Sequence, residues 1–284
     1  MELITLFDPW KAKICSCPLK YSISPYTGCS HGCLYCYASS YIKNFFFSRP
    51  KKDFLKKLER EIKKIPKNSF ITMANSSDPY LSLEKDLKLT QKTLKILKNY
   101  SLKIMIVTKS SLVLRDLEII KNFKKIVISI SLTTLDEKLA KKLEPFASLV
   151  YERLKAIEVL SKNIPVVCRL DPLIYPLTTK KIKETIKELK LRGAKQIITS
   201  TYKAKPDNLK RMVKAFGEFK KLWERLYFKE GERYGNYFYL PKDLRKKLIE
   251  EVRSYTLKEK MEFSSCREGL KNLNTRNCDG SFFF

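Results

Sequence analysis

The chain has 284 residues, enough for one large domain or two small ones around a substantial core. Its composition, 44% hydrophobic and 31% charged, is that of a soluble globular protein, and the absence of any apolar run near transmembrane length excludes a helical membrane protein. Against 30 acidic residues stand 58 Lys plus Arg, a formal net charge of +28, which favours a polyanionic partner through phosphate neutralisation and counterion release.

A merely lysine-rich, solvated surface would usually be balanced by glutamate, and this one is not. Met1 to Trp10 carries no basic leader followed by an apolar core, so the cytoplasm is the expected compartment, with no membrane partner. Eight cysteines there read as metal ligands or buried thiols before they read as disulfides.

In chain order, a strand-like segment from Tyr21 to Thr27 ends at Gly28 and opens into Cys29-Ser30-His31-Gly32-Cys33-Leu34-Tyr35-Cys36, three cysteines spaced C-x3-C-x2-C. Apolar periodicity predicts a helix over Lys52 to Ile65, a buried strand over Ser69 to Ala74 and a helix over Asp86 to Lys98. A strand over Lys103 to Thr108, a helix over Leu112 to Asn122 and an alternating strand over Lys125 to Ser131 follow. Next come helices over Leu135 to Leu143 and Leu149 to Ser161, a strand over Ile164 to Asp171, a helix over Thr179 to Leu191 and a strand over Lys195 to Thr201. Six strands alternating with helices give an α/β class with a parallel sheet, either a barrel or a doubly wound sheet. Beyond them the pattern predicts a long amphipathic helix from Pro206 to Leu226, a tyrosine-rich loop or short strand from Gly231 to Leu240, and a last helix from Lys242 to Ser254.

Thiolates are soft anionic ligands, and cysteines in tight loops hold cubane iron–sulfur clusters. Three ligands leave one iron of a four-iron cluster free, and C-x3-C-x2-C is not a usual zinc spacing. The loop resembles the cluster loop of the radical S-adenosylmethionine (radical SAM) enzymes. That resemblance implies a [4Fe-4S] cluster on Cys29, Cys33 and Cys36, with S-adenosylmethionine chelated through its methionine end by the open iron. It further implies reductive cleavage to a 5′-deoxyadenosyl radical, an electron donor such as ferredoxin or flavodoxin, and a partial six-stranded parallel (β/α)6 barrel. The chain then divides into an N-terminal extension (residues 1–20), a barrel (21–202) and a C-terminal extension packed on it (203–284). In such barrels the chemistry sits at the C-terminal strand ends, and the cysteine loop follows the first strand as that rule requires. His31, the only histidine, reads as a supporting residue rather than a ligand or base.

Alternation places Ser129, Ser131 and Thr133 on one face of the fourth strand, and Arg169 with Asp171 on one face of the fifth. Polar groups at the ends of apolar strands need partners, either a bound polar ligand or each other, as in an Arg169–Asp171 pair. Cys168 faces the opposite way and reads as a core thiol. The stretches Asn75-Ser76-Ser77-Asp78-Pro79-Tyr80, Thr108-Lys109-Ser110, Ser131-Leu132-Thr133-Thr134 and Arg169-Leu170-Asp171-Pro172 resemble the spore photoproduct lyase branch of the superfamily. By that resemblance Ser76, Ser77 and Asp78 face the cofactor's methionine end, Lys109 pairs with its carboxylate, Ser129 or Ser131 meets the ribose, and Tyr35 lies against the adenine. Arg169 joins this cofactor-binding set. In that branch a cysteine near the end of the second strand returns hydrogen to the product. Here Met73-Ala74-Asn75-Ser76-Ser77-Asp78 holds no thiol, so the identical repair reaction is not expected.

Four further cysteines remain. Cys15, Cys17, Cys266 and Cys278 could close a four-thiolate site joining the chain's ends, as a second iron–sulfur cluster or a structural zinc; free thiols, or a Cys266–Cys278 redox pair, are the alternatives. Two basic groups are candidate substrate surfaces: Lys203, Lys205, Lys210, Arg211 and Lys214, then Lys242, Arg245, Lys246 and Lys247. Tyr234, Tyr237, Phe238 and Tyr239 could stack on unpaired bases or close the open side of the barrel. The expected function is a radical SAM enzyme acting on DNA or RNA, as a repair lyase or base-modifying enzyme. Alternatives are a radical SAM enzyme acting on a peptide or small molecule, and a non-catalytic iron–sulfur or zinc protein that binds nucleic acid.

Overall fold

The computed structural model describes residues 2–7, 14–73 and 76–284. Ala74 and Asn75, at the end of the second expected strand, lie outside the described residues, as do Met1 and residues 8–13 of the N-terminal reading. Among the described residues the main sheet has eight strands: β1 (Thr5–Leu6), β2 (Tyr21–Ile23), β3 (Phe70–Met73), β4 (Lys103–Thr108), β5 (Ile126–Ser131), β6 (Val166–Leu173), β7 (Gln196–Thr201) and β8 (Glu262–Ser265). They lie side by side in chain order. Only β1 with β2 is antiparallel. The sheet stays open, its edges being β1 and β8.

The fold follows from residue type. In β5, Ile126, Ile128 and Ile130 pack with Cys168, Ile197 and the helices, while Val127 packs with Val167 and Ile198 on the other face against Cys278, Phe283 and Phe284. Every residue of β5 is buried, as both-sided cover demands of a parallel strand. The inner face is thus plugged by the chain's own C-terminal tail. Gly280 makes this possible: its φ is +68° and a Cβ there would meet Val127 Cγ1 at 2.9 Å.

All six expected parallel strands are present, but several expected helices are broken. Asp86 to Lys98 divides into Glu84–Leu87 and Leu89–Leu97, because Lys88 is left-handed and the buried Glu84 carboxylate accepts the backbone N–H groups of Thr90 and Gln91 at the second helix's start. Leu112 to Asn122 is a 3-10 stretch (Ser111–Asp116) followed by a short helix (Leu117–Ile120), its Arg115 tied to Glu84 and Asp116. The long helix from Pro206 ends at Ala215; Gly217–Phe219 then turns the chain so that Phe219 and Trp223 pack with centroids 5.5 Å apart. The tyrosine-rich segment is a hairpin, Glu232–Tyr234 with Tyr237–Tyr239, and the last helix runs Lys242–Lys258. Strand β8, which periodicity missed, pairs in parallel with β7 and brings Cys266 to the sheet's edge.

Candidate active site

The loop after β2 is shaped by its backbone before its sulfurs. Gly28 has φ +78°, and a Cβ there would sit 2.6 Å from the Phe45 carbonyl oxygen, so no other residue fits without a shift. The neighbouring Cys29 N–H donates to that same Phe45 carbonyl at 2.6 Å, Leu34 N–H donates to Leu143 O at 2.9 Å, and Phe146 N–H to His31 O at 3.1 Å. Arg211 braces the far side. Its Nε donates to Leu34 O at 3.1 Å, and its Nη2 to Cys36 O and to Ser39 Oγ, each at 2.8 Å.

His31 and Asp78 tie the loop to the strand ends. His31 Nε2 lies 3.1 Å from Asp78 Oδ2 and its Nδ1 is 3.2 Å from Phe146 O, the supporting role the sequence suggested. Asp78 also accepts from Thr108 Oγ1 and the Lys109 N–H, both at 2.7 Å, and from the Tyr80 N–H at 2.9 Å. Burial pushes its carboxyl up, but these donors outweigh burial and hold it below the usual aspartate value. Both Asp78 oxygens thus take protein donors, and Asp78 is not among the residues that line the cavity beside the loop.

Cys29, Cys33 and Cys36 are all free thiols. Burial pushes Cys29 up to about 12, with Asp78 adding to it, and raises Cys33 and Cys36; Lys109 and Arg211 pull Cys36 back. One buried and two half-buried soft donors, with Lys109 and Arg211 nearby, fit an anionic iron–sulfur cluster, which would be held by their thiolates. Among the described residues no three His, Cys, Asp or Glu side chains are arranged around a single metal ion. Ligands to separate irons of a cubane need no such common point.

A cavity of about 440 Å³ opens beside this loop, within the range of cofactor sites. Of the expected residues, Tyr35, Cys36, Ser76, Lys109, Ser131 and Arg169 line it. Ser131 and Arg169 are register partners on β5 and β6, which sets them side by side. Ser77 and Ser129 do not line it; Ser129 is fully buried and its hydroxyl finds no hydrogen-bond partner among the described residues. Arg169 Nη2 pairs with Asp171 Oδ2 at 3.3 Å, and Ser200 Oγ donates to Asp171 Oδ1 at 2.6 Å, so these groups do satisfy one another. Cys168 is buried in the core as expected.

Sequence reasoning missed the pivot of this wall, Glu144. Fully buried, it takes hydrogen bonds from the Tyr35 and Thr133 hydroxyls and an ion pair from Arg153, and Lys109 Nζ lies 4.0 Å away. Burial pushes its carboxyl up, yet Arg153, Lys109 and the two hydroxyls prevail and hold it at about 2. Nothing in the periodicity marks Glu144; a lone acid closing an amphipathic helix reads as surface. Asn208 was also missed: its Nδ2 donates to Tyr35 O at 3.0 Å.

The basic groups need correction. Lys203 is buried against Glu268 at 3.1 Å, Arg245 is buried between Glu232 and Glu268, and Arg211 holds the cysteine loop. Lys210, Lys214, Lys242, Lys246 and Lys247 are exposed. Tyr237 and Tyr239 are buried, Tyr237 edge-on to Tyr37 at 5.5 Å, and so offer no open face to a base, while Tyr234 and Phe238 are half-buried. Cys15, Cys17, Cys266 and Cys278, a possible four-thiolate site by sequence, all line the same cavity.

Comparison with known proteins places this geometry. The model of the radical SAM superfamily matches residues 23–189. The uncharacterized protein MJ0683 of Methanocaldococcus jannaschii is 33% identical over 148 residues, covering 51% of this chain and 56% of that protein. The uncharacterized protein ORF301 of Acidianus two-tailed virus is 31% identical over 179 residues, 57% of each chain. The chain thus spans little more than half the length of these relatives. Among solved structures, spore photoproduct lyase complexed with dinucleoside spore photoproduct matches with a TM-score of 0.70 at 16% identity, over 91% of this chain and 77% of that one. SuiB of Streptococcus suis, bound to S-adenosylmethionine, matches with a TM-score of 0.57 at 16% identity, over 86% and 46%. These structural likenesses establish the fold. No helix among the described residues is long and apolar enough to cross a membrane.

Proposed function

The chain belongs to the radical SAM superfamily, and from that premise we propose that it is an enzyme that removes hydrogen from a nucleic-acid substrate, as a repair lyase or base-modifying enzyme. The observation that carries the reading is the shared wall: Tyr35 and Cys36 belong both to the cysteine loop and to the cavity at the strand ends. Bound there, a [4Fe-4S] cluster on Cys29, Cys33 and Cys36 with S-adenosylmethionine supplies the 5′-deoxyadenosyl radical, given an electron from a donor such as ferredoxin or flavodoxin. Lys109 offers a point charge to the cofactor carboxylate, and its ammonium is held near the loop by Glu144 at 4.0 Å. The Ser76 and Ser131 hydroxyls offer hydrogen bonds to the cofactor, and the Tyr35 ring, fixed through its own hydroxyl to Glu144, offers an apolar face. Asp78, His31 and Arg211 keep the loop at the cavity mouth. Eight reduced cysteines suit a reducing compartment such as the cytoplasm.

Nucleic acid is favoured by the net charge of +28, which the internal pairing of Lys203 and Arg245 reduces as a local argument but not as a whole-molecule one. The likeness to a lyase solved with a dinucleoside photoproduct agrees in fold. The test is isotope transfer. Anaerobic enzyme with dithionite, S-adenosylmethionine and deuterated DNA or RNA oligomers should yield 5′-deoxyadenosine carrying deuterium. Unlabelled 5′-deoxyadenosine, formed equally fast with and without the oligomer, would remove nucleic acid as substrate and leave a peptide or small molecule.

A further inference from the structure

The proposed chemistry leaves a second set of sulfurs unused. Cys17 Sγ lies 3.8 Å from Cys278 Sγ, Cys17 and Cys266 pack on the patch that buries Cys278, and Cys15 lines the same cavity. Four thiols from the N-terminal segment, the end of β8 and the C-terminal tail therefore form one row on the cavity wall that also holds Cys36 and Lys109.

This row is built into the fold. Cys278 is buried against Val127, Val167 and Ile198, with Cys17 and Cys266 packed on the same patch, and the Gly280 turn seats the tail there. Cations surround it: Lys20, its side chain 2% exposed, pairs with Asp279 at 3.0 Å. Arg169 donates to the Cys278 carbonyl at 3.4 Å, and Lys203 to the Cys266 carbonyl at 3.5 Å. Each of these cations already has a carboxylate partner, Lys20 in Asp279, Arg169 in Asp171 and Lys203 in Glu268, so the sulfurs sit in a polar, charge-balanced wall. The 3.8 Å between Cys17 and Cys278 suits two sulfurs held by one metal, an iron of a cluster or a zinc, and the metal content separates the two.

We propose that Cys15, Cys17, Cys266 and Cys278 hold a second iron–sulfur cluster, which clamps both ends of the chain inside the sheet and shares the cavity with the first. This stands apart from the choice of substrate and from the first cluster. The experiment is anaerobic reconstitution with iron and sulfide, then quantitation of iron, sulfide and zinc, with electron paramagnetic resonance of the reduced protein. Wild type should hold iron and sulfide in clear excess of one cubane, by about two irons for a [2Fe-2S] or about four for a [4Fe-4S] cluster. A Cys17→Ser/Cys278→Ser variant should lose the excess, and a Cys29→Ser/Cys33→Ser/Cys36→Ser variant should keep iron and sulfide. Iron for one cubane in wild type, together with an iron-free triple variant, overturns the proposal. So does zinc in this site, or a Cys17–Cys278 disulfide in mass spectra of peptides from anaerobic protein. The triple variant reads the second site without the first, and the wild-type count stands even where a variant fails to fold.

Discussion

Arg211 belongs by sequence to a candidate substrate surface, yet its guanidinium donates to two loop carbonyls and a serine. A lysine cannot reproduce that fork. Arg211→Lys should therefore leave the fold intact while the reconstituted cluster's visible absorption bleaches several-fold faster in air; equal rates would mean that the brace does not matter. Glu144 makes a stronger case. Glu144→Gln leaves Arg153, 2% exposed, without its anion, and should destabilise the protein by about 3 kcal/mol in chemical denaturation. Its carboxyl is held down at about 2, so the stability it contributes is complete above the unfolded glutamate value of about 4.3 and is lost as pH falls toward 2. Wild type should weaken more than the variant across that acid window; parallel curves would refute the assignment. At this scale the sequence revealed residue identities better than roles. Asp78 and Lys109 were singled out, but that Asp78 spends its oxygens on His31, Thr108 and backbone N–H groups depends on long-range packing that no local pattern encodes.

Strands were legible because Ile-Val-Ile-Ser-Ile-Ser and its counterparts are short apolar runs between polar turns, and a parallel strand covered on both faces has to read that way. Helix ends were not. Lys88 and Phe216 interrupt continuous periodicity because Glu84 caps one segment and an aromatic cluster turns the other. Strand β8 escaped because Glu-Phe-Ser-Ser has little apolar signal and its partner lies far upstream. The C-terminal plug yields a test of its own. Gly280→Ala meets both a positive φ and the 2.9 Å approach to Val127, so it should cost roughly 1–3 kcal/mol. An unchanged unfolding midpoint would mean that the tail does not sit inside the sheet.

For the whole molecule, the charge of +28 makes a prediction independent of any patch. Binding to DNA or RNA should weaken linearly in log Kd against log salt, with a slope counting the phosphates engaged; a flat response would separate the charge from the substrate. The superfamily was legible in eight residues, because three thiols at C-x3-C-x2-C satisfy a chemical demand that few other sites share. The substrate was not, since it depends on what the cavity admits. The most direct measurement of the central claim is 5′-deoxyadenosine formation by anaerobically reconstituted, dithionite-reduced protein given S-adenosylmethionine. Wild type should produce it and Cys33→Ala should not; wild type that keeps its iron and sulfide yet produces none would contradict the account.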